Sequence, residues 1–143
     1  MEIKFANKEV ELKKIIELRY LVLREPWNQP LDSATDNLEQ SSVNAFIEED
    51  GKVMACGRLQ DNGQGVGQIR YMAVHPGKQG KGLGKIILEA LEAKANEIHL
   101  HTVELQARKN ALEFYLKNGY TNLGPSFKLW DIIEHFLMKK ELN

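Results

Sequence analysis

The run from His75 to Lys85, HPGKQGKGLGK, sets four glycines and three lysines between the apolar segments IRYMAV and IILEALEAKA. Residues of these types, placed where a strand hands over to a helix, suit the binding of phosphate. Glycines lacking Cβ let backbone N–H groups converge on a ligand, and a helix start adds unpaired donors and the positive end of the dipole. Lys78, Lys81 and Lys85 add mobile charge that fits a pyrophosphate better than a carboxylate. Two familiar phosphate loops fail on spacing. In G-x-x-x-x-G-K-[ST], Gly77 and Gly82 are correctly placed but Leu83 stands where the lysine belongs. In G-x-G-x-x-G, Gly80 and Gly82 require a third glycine where Lys85 stands.

The elements that must carry this loop alternate along the chain. Residues 2–6 read as a strand. Asn7 is placed to cap a helix with Leu12, Ile15, Ile16, Val22 and Leu23 at helical spacing, which Pro26 ends. The segment PWNQPLDSATDN reads as a loop or short helix. VNAFIEED and KVMACGRLQ flank Asp50-Gly51, the signature of a tight antiparallel hairpin. QIRYMAV is a third strand of this group and leads into the glycine loop. The helix after the loop carries Leu83, Ile86, Ile87, Ala90, Leu91 and Ile98 on one stripe. HTVELQA then alternates as a strand with Val103, Leu105 and Ala107 on one face. Asn110 opens a shorter helix that Gly119 ends, and two more strands follow near KLW and EHFLMKK. Alternation of this kind predicts an α/β or α+β fold.

Composition bounds the partners. The 143 residues, 43% hydrophobic and 27% charged, predict one globular domain over 1–143. Nineteen lysines and arginines against twenty acids leave no global field to draw in nucleic acid or a membrane surface. MEIKFANKEVELKK has no apolar signal-peptide core and no later run is long enough to span a bilayer, so a cytoplasmic location is expected. Cys56, within VMACG, has no partner for a disulfide and no Cys/His set for zinc. It reads as a buried bystander. His99 and His101 have no further ligands near them in sequence, and no metal is expected.

Gln79-x-x-Gly82-x-Gly84 resembles the Q/R-x-x-G-x-G/A signature of the GNAT superfamily of acetyl-CoA-dependent N-acetyltransferases. The preceding MAVHP is similar to that family's fourth strand and its exit. Asn110-Ala111, Phe114-Tyr115 and Gly119-Tyr120 resemble its N-x-A-x-x-F-Y-x-x-x-G-F/Y segment. The specific similarity runs from about residue 68 to 120. The ending from Gly124 through Ile133-Glu134-His135-Phe136-Leu137-Met138 loosely resembles that of ElaA-like members. The resemblance implies a mixed, mostly antiparallel sheet of six or seven strands, splayed between strands 4 and 5 and flanked by about four helices, with acetyl-CoA in the opening and no metal.

It also implies roles for particular residues. Met72, Ala73 and Val74 would pair with pantetheine. Backbone groups of Gln79, Gly80, Lys81, Gly82, Leu83 and Gly84, with Lys85 beside them, would hold the pyrophosphate, and Asn110 and Tyr115 would complete the cofactor site. Ala73 or Val74 would aim an N–H at the thioester carbonyl, with Val74 taken as the catalytic donor. Tyr115, with an ordinary pKa near 10, would protonate the departing thiolate; the plain alternative is a core aromatic.

A protonated amine must lose its proton, and here the residues leave alternatives open. Glu104 faces a cleft or solvent, and Glu48 and Glu49 share that ambiguity, with solvent the better reading of Glu49. His135, between apolar neighbours, reads first as an ordinary half-buried histidine, while its match to the ElaA-like ending makes it a base or substrate contact. His75, before Pro76, shapes the loop. Arg70 forms an ion pair with a cleft carboxylate, binds an anionic group of the substrate, or equally lies on a solvated face. Trp27 lies in a segment that roofs the acceptor site in GNAT proteins, or else plugs the core. The function expected is transfer of acetyl from coenzyme A to a primary amine of a small molecule or protein by direct attack, in a monomer or homodimer. The alternatives are a non-catalytic acyl-CoA sensor and a nucleotide-binding module, the latter opposed by the failed spacings.

Overall fold

A computed structural model describes residues 2–142. It divides into two compact units, one of residues 2–60 with 69–94 and one of 61–68 with 95–142. The fold is mixed α/β around a mostly antiparallel sheet.

In the first unit the strands β1 (Ile3–Phe5), β2 (Val43–Glu49), β3 (Lys52–Asp61) and β4 (Val66–Val74) lie in that order. β1 and β2 are antiparallel, as are β2 and β3 across the turn at Asp50 and Gly51, whose φ of 53° and 78° are the left-handed pair that an Asp-Gly hairpin needs. Helix α1 (Glu9–Arg19) buries Ile15 and Leu18 against Phe46, Val53, Cys56 and Ala73, the core of this unit. Its cap is Lys8 rather than Asn7. The Glu11 carboxylate reaches back to accept from the backbone N–H of Asn7 and Lys8 at 3.0 and 3.2 Å, so an acid in the first turn replaces the cap expected of the asparagine.

Helix α1 runs on into a π-helical turn, Tyr20–Arg24, where the Glu25 N–H donates to the Tyr20 carbonyl five residues back. A 3-10 turn carrying Pro26 ends it, and a second covers Leu31–Ala34. Helix α2 (Leu83–Glu97) turns Leu83, Ile87, Leu88 and Leu91 inward. Its buried stripe includes Leu88 in place of Ile86, which is exposed, and Ile98 lies beyond its end. Gly57 marks how closely α2 meets the sheet: a Cβ there would sit 2.5 Å from Met72 Sδ and 2.8 Å from Ile87 Cγ2.

The second unit begins with the turn that ends β3 and starts β4. Its further strands are β5 (Thr102–Arg108), β6 (Thr121–Leu129) and β7 (Ile133–Glu141), with β7 between β5 and β6 and antiparallel to both. Gly65, just before β4, accepts from the N–H groups of both His101 and Thr102, so β4 and β5 begin side by side and run parallel. Val103, Leu105 and Ala107 are buried on one face of β5, as their alternation predicts. Helix α3 (Leu112–Lys117) is entered through a 3-10 turn at Lys109–Ala111, so Asn110 precedes the α-helix rather than opening it, and Gly119 follows its end with φ 92°. No helix among the described residues is long and apolar enough to cross a membrane.

Candidate active site

The glycine loop is shaped by His75. Its Nδ1 accepts from the Gly77 N–H at 3.1 Å and caps a 3-10 turn at Pro76–Lys78, the shaping role expected of it. Lys78 pairs with Glu49 of β2 at 2.8 Å, and Glu49, read as a solvent-facing residue, makes this contact at the surface with 35% of its side chain exposed. Beyond it Gly80 and Gly82 take φ of 78° and 80°, conformations in which any side chain would be strained, and a Cβ at either would meet nothing within 4 Å. The loop therefore has an open face. The first intrahelical bond of α2 runs from the Ile86 N–H to the Gly82 carbonyl, which leaves the N–H groups at the helix start without intrahelical acceptors. Gln79, Gly80, Lys81 and Gly82 are exposed, as is Lys85, while Leu83 is buried and holds the helix start in place. This arrangement fits the pyrophosphate of a coenzyme.

Strand β4, just before the loop, has two unlike edges. The His75 N–H donates to the Met54 carbonyl at 2.8 Å, and the Tyr71 carbonyl accepts from the Cys56 thiol at 3.7 Å. Both face β3. Because successive N–H groups in a strand point to opposite edges, those of Met72 and Val74 face the other way. Of the two candidates for a backbone donor, Ala73 thus shares the β3-facing edge with His75, and Val74 faces the opposite edge. Cys56 itself is fully buried and its thiol is pushed up to about 12 by burial, which makes it inert as a nucleophile.

The backbone of β4 is irregular at Tyr71, whose φ of 55° is left-handed, although the strand's alternation of buried and partly buried residues runs through it unbroken. An aromatic residue in that region costs about 1–3 kcal/mol and persists where the surroundings over-determine it. Here the surroundings are arginines. The guanidinium carbons of Arg19, Arg58, Arg70 and Arg24 lie 4.4, 4.9, 4.8 and 5.6 Å from the centre of the Tyr71 ring. Arg19 binds both oxygens of Glu39, at 2.6 and 3.1 Å, and the Asn44 amide oxygen at 2.6 Å. Arg58 binds Asp36 and Gln60, and Arg70 takes Asp36 Oδ2 at 3.0 Å, the ion pair expected as one of its three alternatives. Arg24 donates to the carbonyls of Ser33 and Leu23.

The π turn explains how Arg19 and Arg24 reach the same ring. Five residues apart on an α-helix, they would point about 140° away from each other; the wider turn brings them back toward one side. Electrostatics follow from burial and crowding. Burial raises the Glu39 carboxyl, but Arg19, Asn44 and Thr35 outweigh it and hold the group below its ordinary value. Burial lowers Arg24, and the nearby charges of Arg70 and Arg19 lower it further. Sequence reasoning missed this cluster; the one signal that could have found it was Arg58, a charge set within the apolar run of β3.

The other expected site residues lie in the second unit. Tyr115 is buried on α3, edge-on to Phe114 and Tyr120 at 5.0 and 5.7 Å, and burial raises its hydroxyl well above the ordinary tyrosine value. Asn110 is exposed. Glu104 is 3.8 Å from Lys139 and accepts from the Asn62 amide at 3.4 Å. His135 is buried, stacked on Phe127 at 4.3 Å, with Nδ1 3.1 Å from the Ile133 carbonyl, so Nδ1 carries the proton of that bond. His101 binds the Gln64 carbonyl and the Thr102 hydroxyl, and no group of three metal-ligating side chains occurs among the described residues. Trp27 is partly exposed on the 3-10 turn after Arg24.

The chain resembles known proteins over nearly its whole length. It is 29% identical over 141 residues to YjcF of Bacillus subtilis (strain 168), an uncharacterized N-acetyltransferase, covering 99% of this chain and 100% of that one. Its fold matches Escherichia coli ElaA with a TM-score of 0.82 at 20% identity, covering 99% and 100% of the two chains. It matches an aminoglycoside 6'-N-acetyltransferase complexed with coenzyme A with a TM-score of 0.82 at 14% identity, covering 99% and 97%. The family model for the acetyltransferase (GNAT) family matches residues 12–120, which include β4, the glycine loop and Tyr115. By that match the chain belongs to the GNAT family of acetyltransferases.

Proposed function

We propose that this protein is an acetyl-CoA-dependent N-acetyltransferase that delivers acetyl to a primary amine by direct attack. The observation that carries this reading is the continuity of one strand and one loop: a strand edge bearing the Met72 and Val74 N–H groups runs straight into the open cradle at Gly80 and Gly82. Such an edge suits an amide-bearing pantetheine arm, and the cradle suits its pyrophosphate. A structural relative that holds coenzyme A supports the same cosubstrate here.

In this reading acetyl-CoA supplies the activated acyl group. The Val74 N–H donates to the carbonyl oxygen as charge builds there, a contribution that side-chain substitution cannot remove. Tyr115 gives its proton to the departing sulfur. Burial keeps that hydroxyl neutral at working pH, the state a donor requires. Asn110 assists in holding the cosubstrate. Glu104 and His135 remain the candidates for taking the amine's proton. The whole chain acts as one catalytic domain, and its acceptor is a small molecule or a peptide.

Release of free thiol from acetyl-CoA across a panel of primary amines tests the proposal. Turnover that depends on the amine, with mass addition of one acetyl group to it, supports the transfer. Binding of coenzyme A with no release on any amine would instead mark an acyl-CoA sensor.

A further inference from the structure

We propose that Arg70, gathered with Arg19, Arg24 and Arg58 over the ring of Tyr71, forms the anion-binding end of the acceptor site, so that the amine acetylated by this protein carries a carboxylate or phosphate group. The inference rests on the acetyltransferase reading for its word "acceptor", and on the geometry of the arginine cluster for the rest.

Four guanidiniums converge on one ring, while the carboxylates bound to them are Asp36 and Glu39. Crowded cations in a partly buried place repel one another, and a bound anion relieves that repulsion. Three of the four arginines are buried, Arg24 among them with bonds to the Ser33 and Leu23 carbonyls. Arg19 and Arg58 are fully buried and spend their Nη groups on Glu39, Asn44, the Ala34 carbonyl, Asp36 and Gln60, and the Nε of each has no hydrogen-bond partner among the described residues. They form the fixed wall. The Arg70 side chain is 38% exposed, and apart from its bond to Asp36 Oδ2 its N–H groups find no protein acceptor among the described residues. Its guanidinium fork is the shape that binds a carboxylate or phosphate through two parallel bonds.

Two irregularities of the backbone serve this cluster. The π turn brings Arg24 to the ring, and the left-handed Tyr71 turns the ring toward the arginines. Turns of this kind within helices occur frequently at functional sites. Position along the strand links the cluster to the chemistry, since Tyr71 lies three residues before Val74, roughly 10 Å or less along β4. That distance fits an amine and an anionic group on one small molecule or one terminal residue. The charge of the substrate points the same way. A simple amine arrives as a cation and would be repelled by this cluster, whereas an amine with an attached oxyanion is not. Trp27 and Leu31, exposed on the turns after Arg24, offer apolar surface to the organic part.

The test compares amines matched in size: propylamine, β-alanine and O-phosphoethanolamine in one set, phenethylamine and phenylalanine in another, with thiol release read as kcat/KM. The members of each set that carry an oxyanion are expected to exceed the simple amine, taken as the neutral reference because its ammonium is common to all, by about tenfold or more. A greater gain for β-alanine identifies a carboxylate, and a greater gain for O-phosphoethanolamine a phosphate. Arg70→Gln is expected to collapse the anionic-to-neutral ratio about tenfold, mainly through KM. Equal rates for neutral and anionic amines, or an equal loss for both in Arg70→Gln, would overturn the proposal. A second measurement holds even where no amine turns over and the acetyltransferase reading fails. Sodium phosphate, against sodium chloride of equal ionic strength, is expected to raise the Tm of the wild-type protein saturably, and Arg70→Gln to abolish most of that rise. A rise that Arg70→Gln leaves intact belongs to the glycine loop and counts against an anion site at the arginine cluster.

Discussion

Arg58, with no exposed surface, grips both oxygens of Asp36, Nη1 to Oδ1 at 2.8 Å and Nη2 to Oδ2 at 2.9 Å, and so ties β3 to the turn that follows the first helical segment. The bonds from Arg58 hold the Asp36 carboxyl at about 2, below its ordinary 3.8, with partial burial opposing them. A carboxyl lowered in the folded state stabilises fully above the unfolded value and loses that contribution as pH falls toward the folded one. Asp36→Asn is therefore expected to cost about 2 kcal/mol at pH 7 and little at pH 2. Urea unfolding of both proteins from pH 7 to pH 2 measures this; a cost that does not shrink below pH 4 contradicts it.

Gly82→Glu puts a carboxylate where the loop is open and forces a side chain onto a φ of 80°. Coenzyme A affinity, measured by calorimetry, should fall about 100-fold through repulsion of the pyrophosphate, while the strain costs only about 1 kcal/mol of stability. A folded variant that still binds coenzyme A at the wild-type level removes the cradle from the cofactor site.

Tyr115→Phe should lower kcat by about tenfold or more and leave the coenzyme A dissociation constant within about twofold. Because burial raises the Tyr115 hydroxyl, its loss of a proton produces no fall in rate on the basic side up to about pH 10. An unchanged kcat in the phenylalanine variant takes Tyr115 out of the chemistry and leaves it as a core aromatic.

Cys56 has no exposed surface and a thiol pushed up to about 12. A disulfide reagent should label the native protein far more slowly than the unfolded one, so thiol release from acetyl-CoA can be followed in the same solution without interference. Prompt labelling of the native protein would show that β3 opens readily.

Gly57→Ala should destabilise the protein by about 1–3 kcal/mol, since the new methyl group meets Met72, Ile87 and Leu91 at 3.0 Å or less. The midpoint of denaturant unfolding reads this directly. No change in midpoint would mean that α2 slides away from β3 at little cost.

The elements carrying strong local chemistry were legible in the sequence. Asp50-Gly51 announced its hairpin because few other pairs adopt two left-handed residues, and the four glycines announced an open loop at a helix start. His75 was read correctly because a histidine before proline at a strand end has few other uses. The misses share another cause. The stripe on α2 was assigned Ile86 and Ile98 because periodicity over a long helix fixes its phase only to within a residue, and Leu88 fits the observed phase better. The arginine cluster was invisible because it depends on two backbone irregularities, a π turn and a left-handed tyrosine, that leave no pattern in hydropathy. Arg70 was legible as a charge on a strand, and its acidic partner came from a turn thirty-four residues earlier.

The π turn at Tyr20–Arg24 also makes chain length a determinant in its own right. A relative that keeps both arginines but has one residue fewer between them would wind that stretch as ordinary α-helix. The downstream segment would then lose its extra turn width, and the second arginine would meet the ring at a different angle. Matching residue types at these two positions is thus insufficient to transfer the feature from one protein to another. The count of residues between them carries the information, and an alignment gap there separates chains that identity alone would group together.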